Sequence, residues 1–180
     1  MTTQTKIRLI TSPKNILSGL FLGFVFTLFG CQSTSPNKTE AAKLKNVTLN
    51  IKDLSGNPAV LVDGKYEEAH LFVQVLDTVV ADFNYDGLPD GLLLIVENTG
   101  GTGSFYKLCL VFNNGIKMVQ TDEFLVGDRI KVTNLDVDGN KLTLTYLDRK
   151  KNEPFSKKPH VKKTIQLKIV DSAFEEPPVG

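Results

Sequence analysis

From residue 47 onward the chain alternates between apolar and polar positions with the period of a β-strand. Leu49 and Ile51 alternate with polar neighbours, and Ser55-Gly56-Asn57-Pro58 supplies a turn before the apolar stretch Ala59 to Val62. Asp63-Gly64 is a further turn signal, and Leu71 to Ala81 is rich in Val and Leu. Leu92 to Val96 is apolar at every position, which predicts a central strand buried on both faces. Tyr106, Leu108, Leu110 and Phe112 share one parity, and Asn113-Asn114-Gly115 predicts a hairpin turn after them. Ile130 and Val132 have even parity but Leu135 and Val137 odd, so a β-bulge is expected near Thr133-Asn134. Asp138-Gly139 predicts a second hairpin, leading into Leu142, Leu144 and Tyr146. Ile165, Leu167 and Ile169 mark the last strand. No long stripe of period 3.6 occurs here. The expected fold is mainly β, a single antiparallel β domain of about eight strands given ordinary strand lengths. It would be an open sheet, a sandwich or a partial barrel. A minor helix is expected near its start or around Glu67–His70.

The first thirty residues follow another pattern. Their only charges, Lys6, Arg8 and Lys14, are positive, and Ile16 to Phe29 is uncharged and largely apolar. A basic start, an apolar run of roughly 7–15 residues and a small residue at the cut describe a secretory signal peptide. The run is shorter than the ~20 residues that span a bilayer as a helix. The segment ends in Leu28-Phe29-Gly30-Cys31, which resembles the lipobox of bacterial lipoproteins. The resemblance implies cleavage before Cys31 and acylation of that cysteine, with Phe29 standing where a small residue is usual. No Asp follows Cys31, so in a Gram-negative cell the resemblance favours the outer membrane.

The expected division is therefore a signal peptide over 1–30, a lipidated N-terminus and flexible tether over 31–46, a β-rich domain over 47–171 and a disordered tail over 172–180. Removing residues 1–30 takes away three of the 21 basic residues and none of the 20 acidic ones, so the net charge moves from +1 to −2. Such a balance gives no reason to expect a nucleic-acid partner. The one cysteine besides Cys31 is Cys109, set in the apolar run Leu108 to Val111 and expected to be a buried free thiol.

The sharpest local feature is Asp82-Phe83-Asn84-Tyr85-Asp86-Gly87-Leu88-Pro89-Asp90. Calcium takes six to eight oxygen ligands, and alternating oxygen side chains on a curved loop can converge on such an ion. The candidate ligands are Asp82, Asn84, Asp86 and Asp90, with the carbonyl of Leu88. Leu93 stands where an EF-hand has its bidentate Glu, so this is not an EF-hand. A plain turn is the competing reading, since Asp, Asn and Gly favour tight connections. The layout D-x-N-x-D-G-x-x-D between strands resembles the calcium loops of FG-GAP and VCBS-type repeats, as a loop and not as their propeller fold.

Three markers together resemble a group of uncharacterised bacterial lipoproteins. They are the acidic loop with Leu92 to Val96, the Gly-rich loop from Glu97 to Tyr106, and Phe124 to Val132, expected as a strand carrying Gly127-Asp128-Arg129-Ile130. The resemblance implies envelope location and a β fold, and carries no activity. A cysteine pair common before the last strand in that group is missing from Arg149–His160 here.

Other chemistry is sparse. Gly100-Gly101-Thr102-Gly103 lacks the Lys-Ser/Thr of a phosphate loop and reads as a hairpin loop. Asp128 and Arg129 are expected to pair with different neighbours as structural ion pairs, with anion binding by Arg129 as the alternative. Arg149 to Lys163 holds seven basic residues and one acid, Glu153, a solvated loop or a contact for polyanions. Only His70 and His160 are present, and Ser104 sits in no nucleophile elbow. The expected function is a membrane-anchored envelope lipoprotein with a non-enzymatic binding or structural role, stabilised by calcium if the acidic loop holds it. Its partners would be the membrane, through the lipid, and an envelope protein or ligand. Alternatives are a metal-dependent hydrolase built on Asp82, Asp86 and Asp90, and a carrier of hydrophobic molecules.

Overall fold

The computed structural model describes residues 36–52, 56–68 and 70–176. The expected signal peptide over 1–30, Cys31 and residues 177–180 lie outside the described residues. The described chain is one helix and eleven strands in three antiparallel sheets, with no closed barrel. In chain order these are α1 (Pro36–Leu44), β1 (Thr48–Lys52), β2 (Pro58–Val60), β3 (Lys65–Glu68), β4 (Leu71–Ala81), β5 (Asp90–Asn98) and β6 (Phe105–Asn113). There follow β7 (Met118–Asp128), β8 (Lys131–Asp138), β9 (Lys141–Asp148), β10 (Val161–Val170) and β11 (Ala173–Glu175). The mainly β expectation holds. The strands beyond the expected eight include β3 and β11, which at four and three residues are too short to show a period.

A five-stranded sheet runs in the order β3-β4-β5-β6-β7, and a four-stranded sheet in the order β11-β10-β9-β8. Within each, neighbours in space are neighbours in sequence. The two sheets enclose a core of Leu92, Leu94, Leu108 and Leu110 from one side and Leu142 and Leu144 from the other. These six are at most 3% exposed. Burying a side chain of this size contributes about 1.5–3 kcal/mol.

The opposite face of the five-stranded sheet is also covered. Leu93, Ile95, Cys109 and Val111 pack there with Leu44 of α1, Leu49 of β1 and Ala59 of β2. An antiparallel sheet commonly leaves one face in water. Here α1 and the β1-β2 ribbon form a third layer, which is why Leu92 to Ile95 carries no polar position. Residues 36–46 are thus not a tether: α1 docks by Ala41 and Leu44. Gly91 is its seat, because a Cβ there would stand 2.1 Å from Leu44 Cδ2. Among the described residues no helix is long and apolar enough to cross a membrane.

The expected bulge is present. Val132 pairs with Tyr146 and Asn134 with Thr145, leaving Thr133 as the extra residue. Both hairpins form as well, β6-β7 through Gly115 (φ 82°) and β8-β9 through Gly139 (φ 58°). Three expectations change. Glu67 and Glu68 belong to strand β3 and not to a helix. Phe124 to Val132 is two strands joined by a corner, where the chain leaves one sheet for the other. Residues 173–175 are strand β11 and not a disordered tail: Phe174 N donates to Asp122 Oδ2 at 2.7 Å, and its ring meets Phe124 edge-on at 6.3 Å.

Candidate functional site

The meander puts its connections at two ends. One end gathers the β4-β5 loop (82–89), the β6-β7 turn and the β8-β9 turn. Leu88 lies against Gly115, and the Tyr85 hydroxyl lies beside Gly139. The other end gathers the β5-β6 loop, the β7-β8 corner and the β9-β10 loop (149–160).

At the first end, the acidic loop is braced by its own carboxylates. Asp82 accepts from the amides of Asp86 (3.2 Å) and Gly87 (3.0 Å), Asn84 from Asp86 (3.1 Å), and Asp86 from Leu88 (2.7 Å). Tyr85 and Gly87 adopt left-handed backbone at φ 62° and 86°, which lets consecutive amides turn inward. Asp90 turns away from this group. It is fully buried, and its two oxygens accept from Phe83 N at 3.0 Å and Asn113 N at 2.9 Å. Burial pushes its pKa above the ordinary value, the two amides pull it back, and the charges of Asp86 and Asp82 raise it further.

These groups are hard oxygens of the kind calcium takes, and their mutual repulsion is what a cation would relieve. The geometry places Asp82, Asn84 and Asp86 together and sends Asp90 to pin the loop onto β6. Leu88 contributes an amide donor to the brace. Among the described residues, no set of three or more His, Cys, Asp or Glu side chains is arranged to hold a metal ion.

At the second end, Asp128 and Arg129 form the corner. Arg129 sits in left-handed backbone at φ 50°. Its Nε and Nη2 fork onto Asp128 at 3.0 and 2.7 Å, while Asp128 Oδ1 also accepts from Ser104 N at 2.8 Å. The Arg129 bond holds the Asp128 carboxyl below the ordinary value, against burial, and the Ser104 amide adds to it. Arg129 N donates to Ser104 O at 2.8 Å, so the Gly-rich hairpin loop and the corner are tied twice. A Cβ on Gly127 would stand 2.9 Å from Ile130 Cγ2, so the corner needs glycine. The Arg129 guanidinium also lies 3.5 Å from the centre of the Phe155 ring. Arg129 enters a structural ion pair as expected, but with the adjacent Asp128 and not with a separate neighbour, and that pair occupies its fork.

Two groups remain. Cys109 is a buried free thiol whose pKa burial pushes up to about 12, which leaves it inert as a nucleophile. The Glu97–Lys107–Glu123 cluster was not picked out from sequence. Lys107 Nζ lies 2.8 Å from Glu97 and 3.2 Å from Glu123, beside a cleft of about 450 Å³ also lined by Asn50 and Gln120. Burial lowers the Lys107 pKa, but the two glutamates outweigh it and hold the ammonium above its ordinary value. Parity held the signal: Glu97 follows Leu93 and Ile95, and Lys107 precedes Cys109 and Val111.

Comparison with family models, with curated proteins and with solved structures returns no match for this chain.

Proposed function

We propose that this protein is a cell-envelope lipoprotein, anchored through an acylated Cys31 and lying at the outer membrane if the cell is Gram-negative, whose β domain binds a partner or ligand or serves structurally without catalysing a reaction. The observation that carries the non-enzymatic part is how the candidate side chains are spent. Asp82, Asp86 and Asp90 hold backbone amides, Asp128 and Arg129 hold each other, and Cys109 is buried. The carrier alternative draws no support from the space between the sheets, which leucines fill. The anchor rests on Leu28 to Cys31 behind a basic start and an apolar run. Metabolic labelling with palmitate tests it. Label on the wild type and none on Cys31→Ala is expected, and an unlabelled wild type removes the anchor.

A second reading, calcium at the acidic loop, is favoured by the gathering of Asp82, Asn84 and Asp86 on one tight loop, with the charges of Asp86 and Asp82 bearing on Asp90. Extracellular calcium modules bind at roughly 10⁻⁴–10⁻³ M. At ten times Kd the ion would stabilise the fold by roughly 1.4 kcal/mol. A rise in Tm with millimolar calcium, lost in Asp86→Ala, is the expected result, and an unchanged Tm ends the calcium reading. The hydrolase alternative would need a metal with an open position at these carboxylates, whereas Asp90 is fixed by two amides.

A further inference from the structure

The β9-β10 loop and the start of β10 form the most basic stretch of the chain. Arg149 to Lys163 holds seven of the 21 basic residues and one of the 20 acidic ones, a net +6 against −5 for the remaining 14 and 19. A run of like charge is ordinarily a solvated segment without fixed form. This one is built. Arg149 Nη1 donates to Arg129 O at 2.8 Å, and Arg149 Nε donates to Lys157 O. Glu153 takes the Lys150 amide at 3.0 Å and Lys157 Nζ at 2.6 Å. Two further backbone bonds, Glu153 N to Lys150 O and Lys157 N to Pro154 O, turn the loop at 3.0 Å each.

The loop spends its one acid internally. Lys157 is neutralised by Glu153, and Lys163 by Asp148. Lys150, Lys151 and Lys158 are exposed, and among the described residues no acidic side chain pairs with them. Between them Phe155 is 54% exposed, with the guanidinium groups of Arg129 and Arg149 lying 3.5 and 5.6 Å from its ring centre.

We propose that this loop docks on an anionic lipid surface, with Lys150, Lys151 and Lys158 meeting headgroup phosphates and Phe155 entering the interfacial layer. A soluble polyanion would satisfy the lysines alone. A bilayer interface takes both a cation and an amphipathic or apolar ring. The fixed loop presents these groups without the ordering cost that weakens a disordered basic tail. The contact is separate from the acyl anchor and does not depend on it.

The chain has no tryptophan, so Phe155→Trp supplies a single emission reporter and keeps the stack on Arg129. The full-length protein extracted from membranes is reconstituted in phosphatidylcholine vesicles, alone or with about one third phosphatidylglycerol. A blue shift and brominated-lipid quenching are expected in the anionic vesicles only, reversed at about 0.5 M salt. Adding Lys150→Ala, Lys151→Ala and Lys158→Ala should lower the docked-to-free ratio on the order of 100-fold. An unchanged urea midpoint shows that this variant is folded. Equal emission in both vesicles overturns the proposal, as does a shift that survives the triple substitution or high salt. A shift produced by soluble polyphosphate but not by vesicles also overturns it, in favour of a soluble polyanion. Sedimentation with pure phosphatidylcholine vesicles reports the anchor alone, so the two readings fail separately.

Discussion

Asp90 and Asp128 close opposite ends of the same sandwich, and each has its oxygens bound, yet their carboxyl groups are shifted in opposite directions. Asp90 is buried with two backbone amides and no cation, and desolvation raises its pKa. Asp128 accepts one amide and a guanidinium fork, and the fork lowers its pKa. The acidic end holds its negative charge with peptide dipoles. The basic end holds its charge with ion pairs and a ring stack. What separates them is the partner, since both carboxylates do the same structural work of stitching loops together.

The contrast can be broken most strongly at Asp90. Asp90→Ala strands two amides in the interior and should cost about 3 kcal/mol in urea unfolding. A loss below about 1 kcal/mol would mean the amides find water. At the other end, Gly127→Ala should cost about 2 kcal/mol through its clash with Ile130, read in the same titration. Phe155→Ala removes an exposed ring and its stack on Arg129 and should cost about 1 kcal/mol or less. The smallest effect is one of pH. With a lowered folded pKa, the stability from Asp128 is present above the ordinary carboxylate range and lost as pH falls through the folded value. Asp90 has the opposite sign, its contribution being fullest at low pH and declining as pH rises through its raised value. Urea midpoints from about pH 6 to pH 3 should therefore fall less steeply for Asp128→Asn than for the wild type.

Strand positions were legible where burial was one-sided or complete. Leu71 to Ala81, Leu92 to Val96 and Ile165 to Ile169 all lie in strands, and the parity slip at Thr133 located its bulge. The corner at Asp128-Arg129 was not legible, because Val126 and Ile130 are both buried on either side of it and imitate one continuous apolar parity. The helix α1 was legible only as a minor helix near the domain's start and not as a docked one, because only Ala41 and Leu44 of its face are buried, too few to make a stripe. At the candidate sites, sequence located the acidic residues and singled out Asp128 and Arg129, but not that these two bind each other or what the acids bind. Which carboxylate faces the loop and which faces the core is decided by Asn113, 23 residues beyond Asp90 in the chain.

The sequential order of the strands has a kinetic meaning. From β3 to β7, and again from β8 to β11, each strand pairs with its predecessor, so each ladder closes across a single connection. Loop-closure entropy grows with sequence separation, and chains rich in local pairing cross their folding barrier sooner. Each meander can zip one hairpin at a time as chain is added. The bond from Phe174 to Asp122 spans 52 residues and cannot form until both sheets exist. It belongs to the last step of assembly, a latch that closes on a sandwich already made.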